Sequence, residues 1–328
     1  MPDTMVDAEV LKDAVQLACR APSLHNSQPW HWTADSAGLH LYVDRARMLY
    51  SADKSGREAL ISCGAVLDHL RVAMAAAGWI AHVERFPNPN NLDHLASIDF
   101  SPMSLVTDGH RRRADAILRR RTDRLPFARP RNWGLLEPLL HRAFEAEAAA
   151  YLDVIADELR PQLAEASQLT ESLRLYDSSY HSELEWWTGH FETIDGIPAS
   201  SLVSAAESDR VEVGRAFPVI RHSERRAGIP EDDSTVLVVS TDGDTRNDAF
   251  RSGEVLSAVL LECTLVGLAT CTLTHLIELS SSRRIVGILT GREAMPQLLI
   301  RVGEAPVIDE TPPMTPRRPL HEILDFRD

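Results

Sequence analysis

The chain has 328 residues and a formal net charge of −14, with 44% hydrophobic and 25% charged residues. That balance predicts a core large enough for one or two domains, and its acidity argues against nucleic acid or an anionic membrane as partners. No uncharged apolar run reaches the roughly 18 residues of a membrane span, and residues 1–11 lack the basic start and apolar stretch of a secretion signal. A cytoplasmic protein is expected, with its four cysteines reduced.

In chain order, residues 11–20 predict a helix. It is stopped by Ala21-Pro22-Ser23-Leu24-His25-Asn26-Ser27-Gln28-Pro29-Trp30, where two prolines and a polar cluster force an irregular loop. Its backbone groups and its Ser, Asn and Gln side chains suit the mixed donor and acceptor edge of a planar heterocycle. A strand over 39–43, a helix from 57 and a strand over 95–100 follow. Residues 110–124 are basic. Arg111–Arg113 read as a solvated helix face, whereas Arg120-Arg121-Thr122-Asp123-Arg124 sets a hydroxyl among guanidiniums, a pattern suited to phosphate.

Residues 161–180 predict one amphipathic helix. Residues 186–233 are irregular and long for a loop within a compact domain. They read either as a lid or as a surface excursion, with Trp186 and Trp187 expected as buried packing. A strand over 236–240 leads to a helix that is apolar nearly all round, ending at Gly267-Leu268-Ala269-Thr270-Cys271-Thr272-Leu273-Thr274-His275. A strand over 298–302 comes next, then a proline-rich arm, expected to lie extended and to end in a helix-like turn. Dinucleotide, nucleophile-elbow and metal-site motifs are absent.

Two segments repeat. Residues 57–79 and 246–268 align Gly64-x-Val66-Leu67 with Gly253-x-Val255-Leu256, and Gly78 with Gly267. Each copy reads as a buried helix closed by a glycine suited to a left-handed C-terminal position.

The strings RAPSLHNSQPW, ERFPNPN, LTESLRLYDSSYH, SSLVSAAESDR and TPRRPL carry a resemblance over essentially the whole chain. It resembles the Acg-like, dormancy-associated branch of nitroreductase-fold proteins of mycobacteria. The resemblance implies an α+β nitroreductase fold in which one chain carries two nitroreductase-like halves, 1–115 and 116–328, as a monomer mimicking the usual homodimer. It also implies FMN as cofactor. The match to A-P-S-x-x-N-x-Q-P-W implies that Pro22, Ser23, Leu24, Asn26 and Gln28 line the flavin ring. The match to R-R-S-x-R-x-F implies that Arg120, Arg121, Thr122 and Arg124 hold the phosphate, joined by one or both of Arg317 and Arg318. Thr274 and His275 fall where the family's backbone approaches flavin N5, but they replace its usual Glu or Gly followed by Gly. His275 reads equally well as a structural histidine. The first half has no arginine–hydroxyl motif, so one site per chain is expected.

Three functions stay open. The chain reads as a holder of FMN under a lid with little turnover, or as an NAD(P)H-dependent nitroreductase or quinone reductase. The third reading is a flavin-independent binding protein. No catalytic side chain is demanded where flavin supplies the chemistry.

Overall fold

The computed structural model describes residues 6–144, 150–189, 195–221, 224–306 and 313–327. Parts of the sequence-based reading lie outside the described residues: 1–5 of the N-terminus, 190–194 and 222–223 of the expected lid, and 311–312 of the arm.

Helix α1 (Ala8–Ala18) opens on Asp7, whose carboxylate accepts from the Glu9 N–H. Strands β1 (Trp30–Asp35) and β2 (Gly38–Val43) form a hairpin, followed by α2 (Arg57–Ala76), β3 (Trp79–Arg85) and β4 (His94–Pro102). The chain continues through α3 (Asp108–Arg119), α4 (Trp133–Arg142), β5 (Ala150–Val154), α5 (Arg160–Arg174), α6 (Ser178–Trp187) and α7 (Ala205–Ser208). It then forms β6 (Thr235–Thr241), α8 (Arg246–Leu265), β7 (Ala269–Leu273), α9 (His275–Glu278), α10 (Ser280–Thr290), β8 (Met295–Gly303) and β9 (Leu324–Phe326).

The strands make two sheets with one path. The first runs β3-β4-β2-β1 and the second β7-β8-β6-β5, each antiparallel between neighbours. Each sheet therefore has the order hairpin partner, central pair and flank, with its long helix inserted between the second and third strands. The C-terminal β9 then joins the first sheet, parallel to β1.

Between the sheets lie α2 and α8, of 20 residues each. The glycines aligned in sequence meet at their crossing. A Cβ on Gly64 would fall 1.8 Å from the Phe250 carbonyl oxygen, and one on Gly253 would fall 1.9 Å from that of Ile61. Only glycine permits so close a backbone approach. Beyond each helix the chain turns at a left-handed glycine, Gly78 at φ +90° and Gly267 at φ +81°. Among the described residues α2 is long and apolar enough to cross a membrane, but it is buried against α8, α1 and α3.

Several sequence-based expectations need correction. The single helix over 161–180 is two helices, because Asp177 accepts from the Tyr180 N–H (3.0 Å) and starts α6 afresh. Trp186 is 80% exposed rather than buried, while Trp187 packs beneath Arg47. Arg113 is not free in solvent but pairs with Glu262 at 2.6 Å. The arm's turn, Leu320–Glu322, leads into β9 rather than ending the fold. All four cysteines are free and buried.

Candidate functional site

Two adjoining chambers lie where the loop after α1 meets the loop after α3. The larger, about 790 Å³, is bounded by the first turns of α2, by β7 and α9, and by residues 203–217. The smaller, about 130 Å³, lies between the two loops and the C-terminal arm. Pro22, Ser23, His25, Thr122, Arg124 and Val203 border both.

The first loop is held in a costly shape. His25, Asn26 and Gln28 have φ of +49°, +60° and +51°, a region that non-glycine residues seldom occupy. The surroundings fix it: the Gln28 N–H donates to Ser23 Oγ (3.0 Å), and the Leu24 N–H donates to Ser62 Oγ (3.3 Å). Asn26 Nδ2 donates to the carbonyls of Gly196 (3.0 Å) and Pro316 (3.2 Å), tying the loop to the 186–233 segment and to the arm. Gln28 is wholly buried. Its Nε2 donates to Asn26 O, and its Oε1 accepts from the Arg318 N–H (2.9 Å).

Sequence-predicted residues divide accordingly. Pro22, Ser23, Leu24, Thr122, Arg124, Thr274 and His275 line the larger chamber. Asn26, Arg120, Arg121 and Arg317 line the smaller, which also takes in Pro22, Ser23, Thr122 and Arg124. Gln28 and Arg318 line neither. Gln28 staples the loop to the arm, and the Arg318 guanidinium pairs with Asp44 (3.4 Å) and Glu322 (3.5 Å).

The smaller chamber carries an unbalanced charge. Among the described residues Arg20, Arg120, Arg124 and Arg317 have no carboxylate within ion-pair distance. Their partners are carbonyls: Thr315 O for Arg20 (3.0 Å), Arg20 O for Arg120 (3.3 Å) and Ser201 O for Arg124 (3.3 Å). Arg317 donates to the carbonyls of Cys19 (2.9 Å), Arg20 (3.1 Å) and Ala21 (3.2 Å). Nε of Arg20 and of Arg120 is buried with no partner at all. Burial, then repulsion from Arg20, pushes Arg120 down to about 10. Burial, then Arg20 and Arg120, lowers Arg317 far below the ordinary arginine range. Burial also lowers Arg124. Buried like charges without counter-charge are unfavourable until an anion joins them.

Neutral groups face the larger chamber. His25 is buried with neither ring nitrogen partnered, and burial, then Arg215 and Arg124, keeps it uncharged. His275 is buried with Nε2 2.8 Å from Ser167 Oγ, and burial and Arg215 hold it neutral as well. That contact ties His275 to α5. Thr274 Oγ1 accepts from Arg215 (3.2 Å) and donates to Glu278 (3.2 Å). Phe217 lies edge-on to His25, with ring centroids 5.8 Å apart, and under the Arg124 guanidinium at 4.8 Å. The Asp123 N–H donates to Thr270 O (3.0 Å), which fixes the arginine loop to β7.

Sequence reasoning missed Arg20, His25, Arg215 and Phe217 as site residues. Arg20 and His25 stand inside the quoted loop string. Arg215 and Phe217 come from an irregular segment with no pattern to mark them.

No protein-family model matches the chain. It is 63% identical over 327 residues to "Putative NAD(P)H nitroreductase acg" of Mycobacterium tuberculosis, a match spanning 100% of this chain and 98% of the relative. A second protein of that organism, also named a putative NAD(P)H nitroreductase, is 36% identical over 324 residues, 98% of this chain and 92% of its own. Among solved structures, the FMN and NADPH-dependent nitroreductase NfnB of a Sphigopyxis strain is similar at a TM-score of 0.42 and 16% identity, over 66% of this chain and 99% of that one.

Proposed function

The chain belongs to the Acg-like branch of the nitroreductases, and from that premise we propose that it is a flavoprotein holding one FMN per chain with little turnover. The observation that carries this is the arginine cluster without carboxylate partners, Arg120 buried and Arg20, Arg124 and Arg317 partly buried, beside a chamber lined by the loop after α1. A phosphate supplies the charge that Arg20, Arg120, Arg124 and Arg317 lack, and Thr122 offers a hydroxyl beside them. The ring belongs in the larger chamber, against Pro22, Ser23, Leu24 and the Thr274–His275 turn, where the unpartnered nitrogens of His25 await a donor and an acceptor. Bound FMN supplies the redox chemistry; the chain's own residues bind, orient and exclude water.

Little turnover is proposed because residues 203–217 wall the larger chamber and Phe217 covers the junction with the smaller. The chain on either side of these residues is latched at several points. Arg226 pairs with Asp123 at 2.5 Å, Arg47 pairs with Asp195 at 2.6 Å, and Asn26 holds Gly196. We further propose that the halves 1–115 and 116–328 act within one monomer as the two chains of a nitroreductase dimer do, since the loops that meet at the site come one from each half.

The names of the relatives favour a second reading, an NAD(P)H-dependent nitroreductase or quinone reductase. One experiment separates the two. Oxidised protein loaded with FMN is mixed anaerobically with NADPH or NADH, and absorbance is followed near 450 nm. Flavin that dithionite bleaches but nicotinamide does not upholds storage. Fast bleaching followed by reoxidation with a quinone establishes the reductase. Absence of flavin absorbance in the protein fraction once free FMN has been removed refutes both.

A further inference from the structure

The larger chamber, about 790 Å³, is roomy for a flavin ring alone. Pockets of roughly 300–1000 Å³ enclose whole drug-sized ligands, and the phosphate end of FMN belongs to the smaller chamber. Space therefore remains beside the ring. One wall of that space comes from α5 and residues 208–217, and it brings Glu171, Asp209 and Glu212 to the chamber. His25 lines the same chamber with 6% of its surface exposed and neither ring nitrogen partnered. A buried side chain left so marks a cavity built for a ligand.

The charges lining the chamber do not balance. Arg215 pairs with Glu278, Arg301 with Asp232 at 2.5 Å, and Glu58 with Arg57. Arg174, which shares Glu278, also meets Asp177 at 3.5 Å. Arg124 faces the phosphate. Among the described residues Glu171 and Asp209 have no cation within ion-pair distance, and the Glu171 carboxylate accepts only the Ala216 N–H, at 3.3 Å. Glu212 meets Arg160 at 4.0 Å, the limit of an ion pair, with its side chain 63% exposed, while Arg160 lies 2.6 Å from Asp232. Burial raises the proton affinity of Glu171, against the Ala216 N–H and Arg215; a cation beside it favours the charged form.

We propose that the chamber holds a second subsite beside the flavin, which takes an aromatic cation and turns away the phosphate-bearing nicotinamide dinucleotides. This inference rests on the FMN reading and deepens it, since it names what the remaining space admits. Leu24, Val203, Val211 and Phe217 give that space apolar surface, and Glu171 and Asp209 give it charge without a counter-ion. An aromatic cation matches both. The phosphates of NADPH meet the same carboxylates with like sign, in a chamber whose arginines are engaged.

The test is the affinity of methyl viologen, an aromatic dication, for the oxidised, FMN-loaded full chain at low salt, followed by flavin absorbance and by calorimetry. Uncharged bipyridine, of similar shape, is the control ligand. Viologen should bind wild type more tightly than bipyridine or NADPH does. Asp209→Asn and Glu171→Gln should each weaken viologen about two- to fivefold, the range of a partly exposed charge pair, and should leave bipyridine unchanged. Glu165→Gln removes the same net charge from the exposed side of α5, outside the chamber, and should leave viologen affinity as it was. If Glu171→Gln fails to retain FMN, Asp209→Asn and the charge-reversing Asp209→Lys, both at an exposed position, decide. Viologen that does not bind wild type overturns the proposal, as does affinity unchanged by the Asp209 variants or lowered equally by Glu165→Gln. NADPH that binds wild type as tightly as viologen overturns the exclusion. Wild type that never retains FMN refutes the reading beneath the proposal instead.

Discussion

Replacing Arg120 with methionine removes a buried charge while keeping most of the side-chain volume. In the ligand-free chain that charge is a burden: a depression to about 10 from the ordinary 12.5 corresponds to about 3 kcal/mol of unfavourable interaction. The sign is fixed. A cation whose folded-state pKa is lowered penalises the fold at every pH below that value, so the full penalty stands at neutral pH and fades only as pH rises toward the arginine range. The ligand-free Arg120→Met chain should therefore melt higher than wild type. With FMN the sign reverses. A charge-assisted hydrogen bond to phosphate contributes about 1.5–3 kcal/mol, so Kd should rise about 10- to 150-fold. Flavin fluorescence titration gives the affinity, and thermal melts with and without FMN give the two stabilities. Inorganic phosphate should stabilise wild type more than the variant. A variant that binds FMN as tightly as wild type and melts lower without it would refute the anion-cluster argument.

The remaining predictions concern packing, the chamber wall and acid. Gly64→Ala must push α2 and α8 apart against a backbone oxygen 1.8 Å from the new Cβ, with an expected loss of about 3 kcal/mol or more in urea unfolding. A loss below about 1 kcal/mol would mean that the helices adjust freely. Phe217→Ala opens the junction beside His25 and should speed FMN release about tenfold or more on dilution, as expected for loss of a well-packed aromatic contact; unchanged release would remove Phe217 from the cover. Glu207 is raised by burial but pulled down more strongly by Arg225 and by the backbone N–H groups of Ser204 and Arg225, to about 2 from its ordinary 4.5. A carboxylate depressed in the folded state stabilises above its unfolded pKa and loses that contribution as pH falls through the folded one. The wall that Glu207 ties to Ser204 and Arg225 should thus resist proteolysis at pH 5 and above and loosen between about pH 4.5 and 2; protection that falls off nearer neutrality would show that another group controls it.

How much of this was legible in the sequence depends on whether a residue's role is set locally. The glycine pairs were readable because both consequences of a missing Cβ, close helix approach and a left-handed turn, leave glycine at a fixed spacing. The loop at 21–30 was readable as irregular because its prolines forbid continuation of α1. Its outcome at Gln28 was not, because the partner of that side chain is a backbone N–H 290 residues away in the arm. Arg317 and Arg318 look equivalent in sequence, yet one lines the smaller chamber and the other pairs with Asp44 and Glu322. The paths of the strands on either side separate them, and no local pattern encodes those paths. The irregular segment 186–233 shows the same limit. Its irregular composition marked it as a candidate cover, but Phe217 and Arg215 gain meaning only from α5, α9 and the loop after α1.

The equivalence of the two sheets explains how the site is assembled and why it is lopsided. Each of the two loops, after α1 and after α3, follows a helix packed on the α2–α8 pair. Both α1 and α3 rest on α2, and α3 rests also on α8, so the two loops are brought side by side by the same crossing at Gly64 and Gly253. The arm then crosses the boundary a second time. By adding β9 to the first sheet it carries Arg317 from the end of the chain to the carbonyls that close α1. The arginine cluster is therefore built from three distant segments, Arg20, Arg120 with Arg124, and Arg317, whose mutual repulsion the fold tolerates only because the helix pair and β9 hold each of them independently. A cluster so assembled is preorganised: its repulsion is met during folding, so an anion that enters finds its donors already in place.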